Sequence, residues 1–220
     1  MERIVEAYIG EYASGKSEVA INRALELKEQ GLEVTLVDLD TVEPFYTLRP
    51  LKEFLEQKGI TVVGWGAKET FGLGETGGLI KATVRWVLRR SGCIIMDVGY
   101  GVHGARTLNL VEGAYEDPDL QVFAVVNVAR PMTGAVDDIV AYVRSLGRVD
   151  GLISNNHLGD ETTPEFVEHG HRVVLEAASL LNLPVVYVTV DEKLRETARN
   201  IDFAGVPVKY IKRYMPGAIW

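Results

Sequence analysis

The chain has 220 residues, of which 47% are hydrophobic and 25% charged, values that allow a sizeable core and exclude disorder or collagen-like structure for its bulk. Lys and Arg total 23 against 31 Asp and Glu, and the resulting net charge of −8 argues against non-specific binding to a phosphate backbone, so no nucleic-acid partner is expected. Cys93 is the single cysteine, which excludes an intramolecular disulfide or a CxxC metal site and suits a reducing, cytoplasmic setting.

Strand and helix patterns alternate along the sequence. The opening run MERIVEAYIG has no basic leader followed by a long apolar stretch, and no segment approaches the length of a membrane span, so neither export nor membrane insertion is expected. Arg3–Ile9 reads as the first strand, and Lys16–Gln30 as an amphipathic helix stopped by Gly31. A strand over Glu33–Asp38, a helix over Pro50–Lys58 and a short strand over Ile60–Val63 follow. The Gly-rich stretch Gly64–Gly78 is the one long candidate loop. Next come a helix over Ile80–Arg90, strands over Cys93–Val98 and Val122–Val128, a helix over Thr133–Leu146 and a strand over Gly151–Ser154. A helix over Thr163–Leu181 opens with Thr162 or Thr163 as its cap and Pro164 in the first turn, and Val185–Val190 reads as the last strand. Near-continuous apolar strands such as IIMDV and VFAVVNV mark a sheet covered on both faces. The expectation is one α/β domain over residues 1–220, doubly wound around a mostly parallel sheet of about seven strands.

The strongest motif is Gly10-Glu11-Tyr12-Ala13-Ser14-Gly15-Lys16-Ser17, which fits G-x-x-x-x-G-K-[ST] between a strand and a helix. Gly10 and Gly15 let the backbone turn tightly, and the N–H groups of Ala13, Ser14, Gly15, Lys16 and Ser17 can then face a polyphosphate at the helix N-terminus. Lys16 can reach the terminal phosphates and Ser17 can ligate Mg²⁺. The second strand ends in VDLD, with Asp38 and Asp40 on one face of an extended chain. Such oxygens can hold a metal or orient an attacking water. IIMDVGYG is an apolar strand ending in Asp97, a Walker B pattern, and Gly99 and Gly101 follow it.

On these residues the chain resembles the MinD/ParA branch of P-loop NTPases, the CobQ/CobB/MinD/ParA nucleotide-binding domain. The likeness rests on the phosphate loop at 10–17, LVDLD at 36–40, Asp97–Gly101, ISNN at 153–156 and LPVVYVTVDEKL at 183–194, and so covers most of the chain. It is similar above all to a set of prokaryotic ATP-binding proteins of that branch, through VDLDTVEP, NNHL, ETTPE and the KRYMPGAIW tail. The resemblance implies Mg²⁺ and ATP as cofactors, with Lys16 on the phosphates, Ser17 and Asp97 on the metal, and Asp40 orienting water with Asp38 beside it. It further implies Asn155, with Asn156 next to it, at the adenine, and the segment from Asp191 closing over the base. Members of the branch carry a lysine second in the phosphate loop that crosses a homodimer interface. Glu11 stands there instead, and a carboxylate aimed at a neighbour's phosphates would be repulsive unless it points away. The N-K-x-D pattern of GTPases is absent, since 155–160 reads NNHLGD, which favours ATP.

The expected activity is slow, Mg²⁺-dependent hydrolysis of ATP coupled to a partner protein. Rivals are a small-molecule kinase or ligase resembling dethiobiotin synthetase, a GTPase metallochaperone, and a nucleotide-binding module without turnover. Among weaker features, His169 and His171 lie two apart on a helix and do not share a face, so solvated histidines are expected there, not a metal pair. His103 and His157 follow the two candidate loops, and Cys93 reads as a buried thiol. Lys81, Arg85 and Arg89 would form one basic helix stripe, Phe45, Tyr46 and Arg49 could face a partner or substrate, and the tail from Lys212 is expected to pack on the domain.

Overall fold

The computed structural model describes residues 3–40, 48–64 and 82–215. Eight strands form: β1 (Val5–Gly10), β2 (Val34–Leu39), β3 (Thr61–Val63), β4 (Cys93–Val98), β5 (Leu120–Val126), β6 (Gly151–Ser154), β7 (Val185–Asp191) and β8 (Val208–Ile211). Among the described residues five α-helices accompany them: α1 (Lys16–Glu29), α2 (Lys52–Gln57), α3 (Gly101–Ala105), α4 (Val136–Ser145) and α5 (Pro164–Leu181). The strand order is β3-β2-β4-β1 in one part of the chain and β5-β6-β7-β8 in the other. Every residue of β1, β2 and β4 is buried, the state that continuous apolar runs require of a parallel sheet covered on both faces.

The chain packs as two compact units, Met1–Ile9 with Ala20–Gln121, and Gly10–Val19 with Val122–Trp220. In the first unit, β2 pairs in parallel with β3 and β4, and β4 with β1. The register sets Asp38 opposite Asp97 and Asp97 opposite Tyr8, so two carboxylates stand side by side near the strand ends. In the second unit, β5, β6, β7 and β8 pair in parallel. Its core gathers Val167 from α5, Val188 and Val190 from β7, and Ala198 and Phe203 beyond. The Thr163 hydroxyl caps α5 by accepting from the Phe166 N–H at 3.3 Å, and Pro164 sits in the first turn, which needs no donor from it.

Several elements differ from the sequence expectation, among them the short helix α3, which no periodic pattern announced. There is an eighth strand, β8, whose four residues are only half-buried; an edge strand reading VKYI lacks the apolar run that announced the others. The expected helix at 80–90 is a 3-10 helix, Ala82–Arg89, kinked at Trp86 (φ −107°, ψ 16°). The kink breaks the regular repeat that a straight helical stripe needs. Arg85 and Arg89 instead lie over the Trp86 ring at 4.8 and 4.0 Å, and Lys81 lies outside the described residues. The helix expected from Thr133 starts at Val136, after a 3-10 turn at Pro131–Thr133. The loop at 65–78, together with Phe45 and Tyr46, also falls outside the described residues.

Candidate functional site

The phosphate loop is built by steric exclusion. A Cβ on Gly10 would stand 2.6 Å from the Val125 carbonyl oxygen and 2.8 Å from Ser14 Oγ. Gly15 adopts φ +86°, and a Cβ there would come within 2.2 Å of Asn155 Nδ2. Only glycine meets both demands. Ala13 is held in the left-handed region at φ 55°, a conformation that costs an L-residue about 1–2 kcal/mol and is kept only where its surroundings dictate it. Ser14 is fully buried, and its Oγ has no hydrogen-bond partner among the described residues. Lys16 and Ser17 open α1 and are both buried. A buried ammonium, an orphaned hydroxyl and the N-terminus of a 14-residue helix together favour a bound polyanion.

Glu11 does point away. Its carboxylate accepts from the Met132 N–H at 3.1 and 3.2 Å and from the Thr133 hydroxyl at 3.2 Å, so it is folded into the turn after β5. Burial raises its pKa, opposed by those two donors.

Behind the loop, Asn155 Nδ2 donates to the Ser14 carbonyl oxygen at 2.6 Å, and Asn155 Oδ1 accepts from the Thr189 hydroxyl of β7. Asn156 Oδ1 accepts from the Val128 N–H at 2.9 Å while its Nδ2 donates to Ser154 Oγ at 2.9 Å. Both asparagines are almost fully buried. Their amides fasten the loop and the ends of β5 and β6, and both residues also line the cleft beside the loop, where the base was expected. His157 stands against Gly15, and desolvation, reinforced by Arg130 and Arg213, lowers its pKa to about 4, so it is neutral at pH 7. Asp191 ends β7, where its carboxylate accepts from the Lys193 N–H at 2.9 Å. A cleft of about 450 Å³ opens beside the loop, and Gly15, Glu18, Asn155, Thr189, Asp191 and Arg213 are among its lining residues.

In the first unit, Asp38 is an ion-paired strut. Its Oδ2 accepts from Arg49 Nε at 2.8 Å and its Oδ1 from the Asp40 N–H at 3.0 Å. Arg49 also donates to the Asp40 carbonyl oxygen at 2.8 Å. Both oxygens of Asp38 are thus engaged in holding Arg49 and the Asp40 backbone. Desolvation raises the Asp38 pKa to about 6, against the pull of Arg49. Arg49 is 3% exposed, which overturns the expectation that it faces a partner. Asp40 lies against the loop after β4, where a Cβ on Gly99 would sit 3.3 Å from its Oδ1. Asp97 is fully buried on β4.

His171 is buried, not solvated as expected, with Nε2 at 3.1 Å from the Phe203 carbonyl oxygen; His169 and His103 are exposed. Cys93 is buried. Sequence reasoning missed Glu18, Thr189 and Arg213. Glu18 carried the one available signal, an acid in the first turn of the phosphate-loop helix. Among the described residues, no group of three or more His, Cys, Asp or Glu could hold a metal ion, and no helix is long and apolar enough to cross a membrane. The donors present at α1 suit Mg²⁺, a cation that takes few protein ligands and keeps phosphate and water oxygens.

Neither a protein-family model nor a curated protein sequence matches the chain. Solved structures do. The signal recognition particle receptor FtsY from Elizabethkingia anophelis, in complex with GDP, aligns with TM-score 0.57 and 20% identity over 89% of this chain and 59% of that one. The cell division protein FtsY from Thermotoga maritima aligns with TM-score 0.56 and 16% identity over 86% and 62%. FlhF complexed with GTP and Mg²⁺ aligns with TM-score 0.55 and 16% identity over 86% and 66%. The chain thus spans roughly three-fifths of the length of these proteins. Its fold is the α/β fold of the P-loop NTPases.

Proposed function

We propose that both units work as one nucleotide-binding domain of the MinD/ParA kind, a Mg²⁺-dependent ATPase that acts as a partner-coupled cytoplasmic switch. The observation that carries this reading is the phosphate loop: two glycines whose Cβ atoms would clash, a left-handed Ala13, and Lys16 and Ser17 at the start of α1.

In this reading the loop N–H groups bind the β-phosphate and Lys16 bridges the β- and γ-oxygens, offsetting charge that builds as the terminal bond breaks. Ser17 and Asp97 would hold Mg²⁺, the second directly or through water. When bound, that ion neutralises phosphate charge and aligns the β- and γ-groups. Asp40, fixed by Asp38 and Arg49, orients the attacking water. Water adds to the γ-phosphorus, the bond to the β-bridging oxygen breaks, and ADP and phosphate leave. With no arginine assigned to the transferring group, turnover without a partner is expected below about 1 s⁻¹.

The turned-in Glu11 favours a switch without the sandwich dimer that a lysine at this position would support. Guanine is the second reading for the base, because two of the similar structures hold GDP or GTP. Phosphate release from ATP with Mg²⁺ alone, competed by unlabelled ATP more strongly than by GTP, is the expected result. GTP outcompeting ATP would move the assignment to guanine, and strict dependence on a metabolite would move it to a small-molecule kinase.

A further inference from the structure

Glu18 follows Ser17 in the first turn of α1 and is 3% exposed. Its two carboxylate oxygens accept from the backbone N–H groups of Tyr214 at 2.9 Å and Met215 at 2.7 Å. Burial raises its pKa, opposed by those amides and by Arg213. A buried carboxylate is thus used to latch the strap that leaves β8 onto the helix that follows the phosphate loop. Between the strand and the latch sits Arg213. Ile211 and Arg213 form one wall of the 450 Å³ cleft, with Gly15 and Thr189 among its other lining residues. The Arg213 side chain is only 15% exposed, yet among the described residues it forms an ion pair with Asp160, a carboxylate that is 80% exposed. Lys193 shares that carboxylate at 3.7 Å. An ion pair with a partner so open to water is largely screened, a weak reason to bury a guanidinium. A flat, donor-rich group in the wall of a cleft continuous with a phosphate loop has a better use. It can lie against an aromatic base or donate to its acceptor atoms.

We propose that Arg213 is a nucleoside-contacting residue, and that the Glu18 latch seats it so that the 212–215 strap forms the outer wall over a bound nucleoside. This rests on the nucleoside triphosphate reading above. The experiment measures fluorescent ATP and Mg²⁺-tripolyphosphate binding to the full chain by titration. Tripolyphosphate offers the same phosphates and no nucleoside. Arg213→Ala should weaken ATP binding about tenfold and leave tripolyphosphate binding within about twofold. Arg213→Lys should fail to rescue, since an ammonium has no plane. Glu18→Gln, which keeps a carbonyl acceptor for one amide, should weaken ATP less than Glu18→Ala does. Thermal melts of each variant control for folding. ATP affinity unchanged in Arg213→Ala, or an equal loss of tripolyphosphate affinity, overturns the proposal. A wild-type chain that binds tripolyphosphate but no nucleoside triphosphate also overturns it. If the wild type binds neither probe, the phosphate-loop reading itself fails.

Discussion

The segment after β1 and the segment after β2 both bury polar side chains, and they treat charge in opposite ways. Around the phosphate loop the fastenings that reach it from the ends of β6 and β7 are neutral: Asn155 to the Ser14 carbonyl, Thr189 to Asn155, and an uncharged His157 against Gly15. Lys16 and the N-terminus of α1 give the loop its positive character, and Glu18 in the same first turn has its oxygens turned to the strap. After β2 the fastening is ionic, with Asp38 and Arg49 paired at 2.8 Å and jointly holding the Asp40 backbone. Supports without charge leave the field of an anion-binding loop undiminished. A carboxylate meant to aim a water needs a fixed backbone, and a buried ion pair supplies that rigidity.

The largest effect expected from breaking this contrast is on the loop side. Lys16→Ala should lower affinity for ATP on the order of 100-fold, by loss of a buried charge-assisted contact, with the thermal midpoint little changed. Unaltered affinity would remove the lysine from the cradle. On the strut side the loss should appear as stability. Arg49→Ala leaves the Asp38 carboxylate buried without its cation and should cost about 3 kcal/mol in urea unfolding. A wild-type midpoint in that variant would show the pair to be idle. Asp40→Ala should keep ATP binding and slow phosphate release about 100-fold or more, the range of a positioned general base; unchanged turnover would move the water to another residue.

The two regions should also part on acidification. The folded pKa of Asp38, about 6, lies above its ordinary 3.8, so its contribution is fully present below pH 3.8 and is lost as pH rises through about 6. The folded pKa of His157, about 4, lies below its ordinary 6.5, so its contribution is present above pH 6.5 and is lost as pH falls toward 4. Urea melts between pH 4 and 7 should therefore change slope in opposite directions for Asp38→Asn and His157→Gln; parallel changes would refute the assignment. The smallest effect is at Ala13. Ala13→Gly removes left-handed strain but adds unfolded-chain freedom, so stability should move by less than about 1 kcal/mol, and a larger drop would mean that the Ala13 methyl packs.

Much of the scaffold was legible because burial on both faces forces apolar runs. Cys93–Val98 and Gly151–Ser154 match their predicted bounds. β8 was not, because a half-buried edge strand needs no such run. The phosphate loop was legible because backbone crowding at Gly10 and Gly15 leaves one residue type. The tasks of Asn155, Asn156 and Asp38 were not, since the same amide or carboxylate can face a ligand or a neighbouring strand. Asn155 reaches a loop 141 positions earlier, and Glu18 a strap about 196 positions later. Local order therefore determined the strands, the caps and the bend that suits phosphate. The tertiary structure decided which polar groups hold that bend in place and which remain turned toward the cleft, because hydrogen-bond partners so distant in sequence are chosen only when the sheet brings them together.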